Sequence, residues 1–167
     1  PTLNMAVYTL VFGIFLNQGQ RAYPYFLFVG LVPWLFFTSS VSAGASSVSD
    51  RRELLTKVRF PAQVLPAMVV ATNIVNLVLS LPLLLGLGLL YGDQPSWHAI
   101  IFLPLLALQT LFTLGLTYLL SALNVAFRDL QHIVANLLTM MFFLTPVVWP
   151  LSALDPEVKR VMLYANP

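Results

Sequence analysis

The sequence predicts an all-α protein, a polytopic bundle of transmembrane helices. Of its 167 residues, 59% are hydrophobic and 8% are charged, whereas soluble domains carry about 25% charged residues. The charged residues, 8 Lys and Arg with 6 Asp and Glu, fall in clusters separated by long charge-free stretches. Within those stretches the apolar residues occur on all sides. The alternation typical of membrane β-barrel strands is missing, so a barrel is excluded.

Five charge-free stretches give the predicted spans. A helix that crosses the hydrocarbon core needs about 20 mainly apolar residues, and one charged side chain at mid-bilayer costs about 2.5–3.5 kcal/mol. The stretches are therefore the spans, and the charged clusters are the loops between them. We predict spans that run roughly over residues 3–17, 25–47, 64–91, 99–123 and 131–149.

The first and third spans depart from the usual length. The first is short, and the chain begins with Pro1 rather than Met, so we expect residues 1–167 to be a fragment of a longer chain. The third, at about 28 residues or about 42 Å, is longer than a hydrocarbon core of about 30 Å requires. Pro82 should kink it, and Pro61 and Pro66 should break its approach from the preceding loop.

The positions of Lys and Arg predict the orientation. The 50–59 loop carries four of them and the 124–130 loop carries one, and these loops lie two spans apart, on one side of the membrane. On the other side, segment 18–24 carries one, 92–98 none and 150–167 two. Because positive residues concentrate in cytoplasmic loops, we expect the first two loops to face the cytoplasm.

The sequence contains no recognisable catalytic or metal-ligating set. Its two histidines, His98 and His132, are predicted on opposite sides of the membrane, and there is no Cys. The run Gly86-Leu87-Gly88 lacks the Lys-Ser or Lys-Thr that follows in a phosphate loop, and it is typical of helix packing. No stripe of basic and aromatic residues suggests nucleic-acid binding. We therefore expect no catalysis, no metal and no cofactor in this chain.

The charged stretch 47–66, SVSDRRELLTKVRFPAQVLP, predicts a short amphipathic helix. Ser49 or Asp50 can cap a helix that begins at Arg51, apolar residues follow at helical spacing, and Pro61 should end the helix. The helix either lies on the lipid surface as a positively charged anchor or docks a soluble partner. The candidate docking residues are Asp50, Arg51, Arg52, Glu53, Leu54, Leu55, Lys57, Phe60 and Pro61.

Arg128 and Asp129, within NVAFRDLQHI, lie at the predicted cytoplasmic junction of two spans. One interpretation is structural: the Arg128 side chain extends to lipid phosphates and Asp129 caps the next helix. The other is functional: the pair forms a polar latch that acts as a cytoplasmic gate.

Pro146 and Pro150 lie four residues apart on either side of Trp149 and should break a helix at the outer interface. A short amphipathic segment, 156–165, follows them. This region is either an interfacial loop with Trp149 as a membrane anchor or an outer gate that covers a pore.

Aromatic residues are frequent in the chain, which has 12 Phe, 6 Tyr and 3 Trp. Belts of aromatic residues at the two membrane interfaces explain most of them. Stacking of aromatic faces on sugar rings is the alternative. The residues that we place near span ends are Trp34, Phe36, Phe37, Phe142, Phe143 and Trp149.

Three runs of the sequence together resemble a known family: residues 24–66, residues 123–150 (LNVAFRDLQHIVANLLTMMFFLTPVVWP) and the final LYANP. They are similar to the permease subunit of bacterial ABC-2 type exporters, and most of all to the exporters of polysaccharides and polyol phosphates, such as O-antigen, capsule and teichoic acid. The residues that carry the resemblance are Lys57, Phe60, Pro61, Val125, Arg128, Asp129, Thr145 and Pro146.

The resemblance implies one ABC-2 type transmembrane domain over residues 1–167, with five of six expected spans and without the N-terminal interface helix and the last span. It implies a homodimer in the bacterial plasma (inner) membrane that pairs with two copies of a separate ATPase, which binds ATP and Mg. The coupling helix maps onto about residues 49–60 and the outer gate helices onto about 150–165. The implied substrate is a lipid-linked glycan that passes through an aromatic-lined channel. The alternative is an ABC-2 permease that exports a drug or a small lipid-like molecule.

Overall fold

The computed structural model describes residues 23–51, 61–90, 98–145 and 147. Within these ranges there is no strand, and the all-α prediction is confirmed. The four helices are α1 (Tyr23–Ser46), α2 (Val64–Leu90), α3 (His98–Ala126) and α4 (Leu130–Leu144).

The helices α1, α2 and α3 are long and apolar enough to cross a membrane. They confirm the predicted second, third and fourth spans, so the protein is a multi-pass membrane protein. The predicted first span, 3–17, and the segment 150–167 lie outside the described residues.

The chain enters α2 through a turn at Pro61. The Pro61 carbonyl oxygen accepts a hydrogen bond from the Val64 N–H at 3.0 Å, and the Ala62 carbonyl oxygen accepts one from the Leu65 N–H at 3.2 Å. Pro66 lies within the first turn of α2, where a missing N–H breaks no intrahelical hydrogen bond. The expectation that Pro66 breaks the approach to this helix is therefore wrong.

The helix α4 ends earlier than the sequence predicts. The fifth span was expected to continue to about residue 149, but α4 stops at Leu144, and Thr145 is extended with φ −88° and ψ 145°. The physical reason is Pro146, because the residue before a proline is disfavoured in the helical region. The Thr145 hydroxyl donates to the Met141 carbonyl oxygen at 2.6 Å and satisfies the helix end. With 15 residues, α4 is about 22 Å long, shorter than a full span of about 30 Å.

The central helix is α1, which packs against each of the other three. Its N-terminal half contacts α2 and α3 through a cluster of buried apolar residues: Phe28, Val32, Phe36, Val70, Leu77, Leu84 and Leu106. It contacts α4 through two smaller clusters, formed by Leu27, Leu31 and Phe142 and by Val41, Val134 and Leu138. Large apolar side chains remain exposed on α2 and α3, such as Leu79 and Leu108, as expected of surfaces that face lipid.

Parallel packing of α1 and α3 is shown by three contacts that occur in the same order along both helices. The Gln109 carboxamide donates to the Pro33 carbonyl oxygen at 3.0 Å, Gly44 lies against the Thr117 side chain, and the Asn124 carboxamide donates to Ser49 at 2.9 Å. A Cβ atom on Gly44 would overlap Thr117 Cγ2. The two backbones therefore approach as closely as they do because position 44 has no side chain, as is common between membrane helices.

The face of α3 that meets α1 is polar over four turns. We call it the polar seam; it comprises Gln109, Thr113, Thr117, Ser121 and Asn124, of which the last four are buried. Three of the hydroxyls donate to backbone carbonyls of α3 itself, at 2.7 Å for Thr113 and Thr117 and 2.9 Å for Ser121. Because these groups are satisfied within their own helix, they can be buried at little cost.

The Gly44 contact gives a testable prediction. Gly44→Ala should lower the free energy of unfolding by about 1–3 kcal/mol, as overpacking does, measured by thermal unfolding of the detergent-solubilised protein. Adding Thr117→Ser, which removes only the overlapping methyl group, should recover part of the loss.

The matched control is Gly115→Ala on α3, because a Cβ atom there meets nothing within 4 Å. This change should be neutral or stabilising by up to about 1 kcal/mol. Equal stability of the Gly44→Ala and Gly115→Ala proteins would contradict the close packing of α1 and α3.

Candidate functional site

The candidate site lies at one end of the bundle, where the chain leaves α1 and α3 and enters α4. After α1, residues 47–51 form a turn. Two serine hydroxyls in this turn hydrogen-bond to carbonyl groups at the end of the helix. Ser47 Oγ donates to the Gly44 carbonyl oxygen at 2.7 Å, and Ser49 Oγ donates to the Ser46 carbonyl oxygen at 2.9 Å. The start of the predicted docking segment is thus held against the end of α1.

Asn124 joins three parts of the chain at this end. Its side chain is only 1% exposed, in the last turn of α3. Its Nδ2 donates to Ser49 Oγ at 2.9 Å, and its Oδ1 accepts from the Gln131 backbone N–H at 3.2 Å. We call Ser49, Asn124 and Gln131 the three-way junction. A carboxamide suits it because one group supplies both the donor and the acceptor.

The junction also explains how α4 begins. Asp129 occupies the N-cap position, but its carboxylate makes no capping hydrogen bond, and its backbone is helical, with φ −74° and ψ −11°. A capping residue normally has extended backbone that points its side chain at the first free N–H groups. The expectation that Asp129 caps the next helix is therefore wrong, because Asn124 accepts from Gln131 instead.

The predicted charged residues gather around the junction where they are described. Asp50 and Arg51 follow α1, Arg128 and Asp129 lie on the turn between α3 and α4, and all four are exposed. The structure therefore places the start of the predicted coupling helix at the same end of the bundle as the predicted gate. This agrees with the sequence, in which the two segments are separated by two spans and must lie on one side of the membrane. Whether Arg128 and Asp129 act as a latch stays a prediction.

Several predicted site residues lie outside the described residues. Of the docking candidates, Asp50, Arg51 and the exposed Pro61 are described, whereas positions 52–60 are not. The outer-gate candidates Pro146, Trp149 and Pro150 also fall outside the described ranges. The roles predicted for these positions stay predictions.

Aromatic rings form a connected group between α1 and α4. The ring centroids of Trp34 and Phe142 lie 5.9 Å apart, those of Trp34 and Phe37 5.9 Å, and those of Phe142 and Phe143 5.3 Å. Trp34 and Phe37 lie at the middle of α1. The expectation that they belong to a belt at a span end is therefore wrong, because both lie about half-way along a 24-residue helix that is long enough to cross a membrane.

A groove beside these rings combines aromatic and hydroxyl groups. It has a volume of about 430 Å³ and lies between α1 and α4. Its walls include Trp34 and Phe142 together with the hydroxyl-bearing residues Thr38, Ser42 and Thr139. Such a surface offers flat apolar contact and hydrogen bonds side by side, which suits a hydroxylated ring such as a sugar.

A second groove, of about 540 Å³, lies between α1 and α2. Two carboxamides, Asn73 and Asn76, and the hydroxyls of Ser39 and Ser80 interrupt its apolar walls. Ser39 lines both grooves, so α1 presents a partly polar surface on either side.

Sequence reasoning missed the polar seam, Gly44 and the role of Asn124. The available signal was periodicity: Gln109, Thr113, Thr117, Ser121 and Asn124 recur at intervals of four, four, four and three residues along an apolar helix. That spacing predicts one polar face. The sequence does not reveal which helix this face meets.

Comparison with known proteins places the chain among transporters. Residues 1–167 match the family described as ABC-2 type transporter. The O-antigen export system permease protein RfbA of Myxococcus xanthus is 58% identical over 168 residues, which is 100% of this chain and 65% of that protein. Two Klebsiella pneumoniae proteins of the same description are 28% and 29% identical, again across the whole chain. The chain thus spans just under two thirds of the length of these relatives.

The capping arrangement at the junction is testable by stability. Asn124→Ala should lower the free energy of unfolding by about 1–2 kcal/mol, as the loss of a helix cap does. Asp129→Ala should change it by less than about 0.5 kcal/mol, because exposed substitutions away from special contacts usually do no more. Thermal unfolding in detergent measures both values. A larger loss for Asp129→Ala than for Asn124→Ala would show that Asp129 is the cap.

Proposed function

Because the chain belongs to the ABC-2 type transporter family, we propose that it is the transmembrane permease part of an ATP-driven exporter of lipid-linked cell-surface polysaccharide. The single observation that carries this proposal is the 58% identity, over the entire chain, to a protein described as an O-antigen export permease. The family assignment supports membrane transport, and the export of polysaccharide is taken from the relative.

Energy for export would come from a partner subunit. The sequence has no phosphate loop of its own, so in this proposal two copies of a separate ABC ATPase bind ATP and Mg and drive a permease homodimer in the bacterial inner membrane. The permease itself carries out no chemical reaction. It would convert contacts with the ATPase into movement of its helices. Such coupling requires a segment of the permease whose position depends both on the ATPase and on the membrane helices.

The proposed coupling element is the charged segment 49–60. Leu54, Leu55 and Val58 would fill a groove of the ATPase, as an amphipathic helix does in a groove, and the charged residues around them would orient it at the rim. The described part supports this arrangement, because Ser49 hydrogen-bonds to Asn124 and Arg51 is exposed. The first residue of the segment is therefore hydrogen-bonded to α3, and the residues that follow it begin at an exposed end of the bundle.

The substrate would be an undecaprenyl-diphosphate-linked glycan. The groove between α1 and α4 supports a sugar substrate, since it pairs Trp34 and Phe142 with four hydroxyl-bearing residues. In the same proposal, Arg128 and Asp129 form the cytoplasmic gate, and Pro146, Trp149, Pro150 and the segment 150–165 form the outer gate.

Export and docking are tested together in a strain whose permease gene is deleted and replaced by the full-length gene or its variants. Deletion should abolish the surface glycan, and the wild-type gene should restore it. Leu55→Asp should weaken binding to the ATPase by about 2 kcal/mol or more, roughly thirtyfold in affinity, as the loss of a buried anchor does. Copurification and surface glycan are the two measurements.

Leu55→Met is the matched control, because it keeps an apolar side chain of similar volume and should behave as wild type. Normal copurification of the Leu55→Asp permease would place the docking site elsewhere. A deletion strain with unchanged surface glycan would reject export of this polymer altogether.

The proposed orientation predicts which residues an impermeant thiol reagent reaches in intact cells, using a full-length protein without other cysteines. Cys in place of Ser96 should be labelled from outside, and Cys in place of Arg51 or Arg128 only after the membrane is opened. The sequence 1–167 has no Cys of its own. Labelling of positions 51 and 96 from the same side would contradict the topology.

A further inference from the structure

We propose that Asn124 is a positioning residue that makes the start of the charged segment, the end of α3 and the first turn of α4 move as one rigid unit. This inference rests on the proposed function. It says how a movement of the segment after Ser49, caused by the ATPase, would be passed on to α3 and α4. The three-way junction is the part of the described chain where these elements are joined by hydrogen bonds.

The hydrogen bonds at the junction form a continuous chain. The Gln131 N–H donates to Asn124 Oδ1 at 3.2 Å, Asn124 Nδ2 donates to Ser49 Oγ at 2.9 Å, and Ser49 Oγ donates to the Ser46 carbonyl oxygen at 2.9 Å. The chain runs from the first turn of α4, through α3, to the last residue of α1. The Asn124 carboxamide donates one hydrogen bond and accepts another. The Ser49 hydroxyl also donates one and accepts one.

Burial makes this linkage durable. Asn124 is 1% exposed, so water has little access to replace a broken hydrogen bond. Leaving a buried donor or acceptor unpaired costs about 1–3 kcal/mol per group. Breaking the junction would carry this cost for each buried group left unpaired, which favours movement of the loop and α4 together.

Between the described residues, the rest of α4 is held by contacts of a different kind. Beyond its first turn, α4 meets α1 through apolar contacts, namely Val134 and Leu138 against Val41 and Phe142 against Leu27 and Leu31. Apolar contacts are non-directional, so they permit sliding or rotation. Phe142 lies about 16 Å along the helix from Gln131 and lines the groove with Trp34. Movement of the junction would consequently change the width of that groove.

The test compares ATP hydrolysis with export in the full-length permease, assembled with its ATPase in membrane vesicles. Ser49→Ala removes the acceptor for Asn124, while Ser49→Thr keeps the hydroxyl. We expect Ser49→Ala to retain assembly and ATP hydrolysis but to export about three- to tenfold less glycan per ATP, the factor that corresponds to about 1 kcal/mol. Ser49→Thr should restore the wild-type ratio.

Ser121→Ala is the matched control, because Ser121 is also buried near the end of α3. Within the described part of the chain, its hydroxyl donates to the Tyr118 carbonyl oxygen of the same helix. This substitution should leave the ratio unchanged. Equal export per ATP in the wild-type and Ser49→Ala proteins would overturn the proposal. A wild-type complex that hydrolyses ATP without exporting glycan would instead reject the proposed function.

A second measurement does not depend on disturbing the junction. Spin labels are placed on Cys substituted at Ala43, in the last turn of α1, and at Ile133, in the first turn of α4, both exposed and on either side of the junction. A second pair is placed at Met140 on α4 and Leu79 on α2, which are also exposed. The first distance should be the same with and without ATP, and the second should change. A change in the first distance, or none in the second, would overturn the rigid-unit proposal.

Discussion

The close contact between α1 and α3 is the constraint on which the geometry of the three-way junction depends. At Gly44 the absence of a side chain lets Thr117 approach the backbone, and the two parallel helices then stay together from Gln109 to Asn124 through the polar seam. In a bilayer this contact cannot depend on the hydrophobic effect, because lipid is as apolar as leucine. Fit and hydrogen bonding must stabilise it, so its small and polar residues matter more than its apolar ones.

This contact sets the geometry at the junction end of the bundle. Because α1 and α3 are parallel, their C-terminal ends arrive together, and Ser49 lies within reach of Asn124. The turn of residues 127–129 then returns the chain as α4, whose Gln131 N–H is satisfied by the same carboxamide. The charged residues Arg51, Arg128 and Asp129 are consequently exposed at the same end of the bundle.

Among the described residues, α4 is held differently along its length. Its first turn is joined to Asn124 by a hydrogen bond, and Val134, Leu138 and Phe142 make apolar contacts with α1. The helix ends at Leu144, beside the first half of α1. Its short length brings Phe142 beside Trp34 and opens a groove with hydroxyl groups along it. The groove runs along α4 from Ala135 to Phe142, so it would change shape if the first turn of α4 were displaced.

The sequence by itself determined the all-α class, three spans to within a few residues and the meeting of segments 50–51 and 124–130 at one end. Those features follow from the high cost of charge in hydrocarbon, which acts on each residue independently of its neighbours. Only the tertiary structure decided that Asn124 caps α4 in place of Asp129, that Gly44 sets the helix spacing and that Trp34 meets Phe142. These depend on which helix faces which, and an apolar stretch carries little information about its partner, because one leucine-rich surface packs about as well as another.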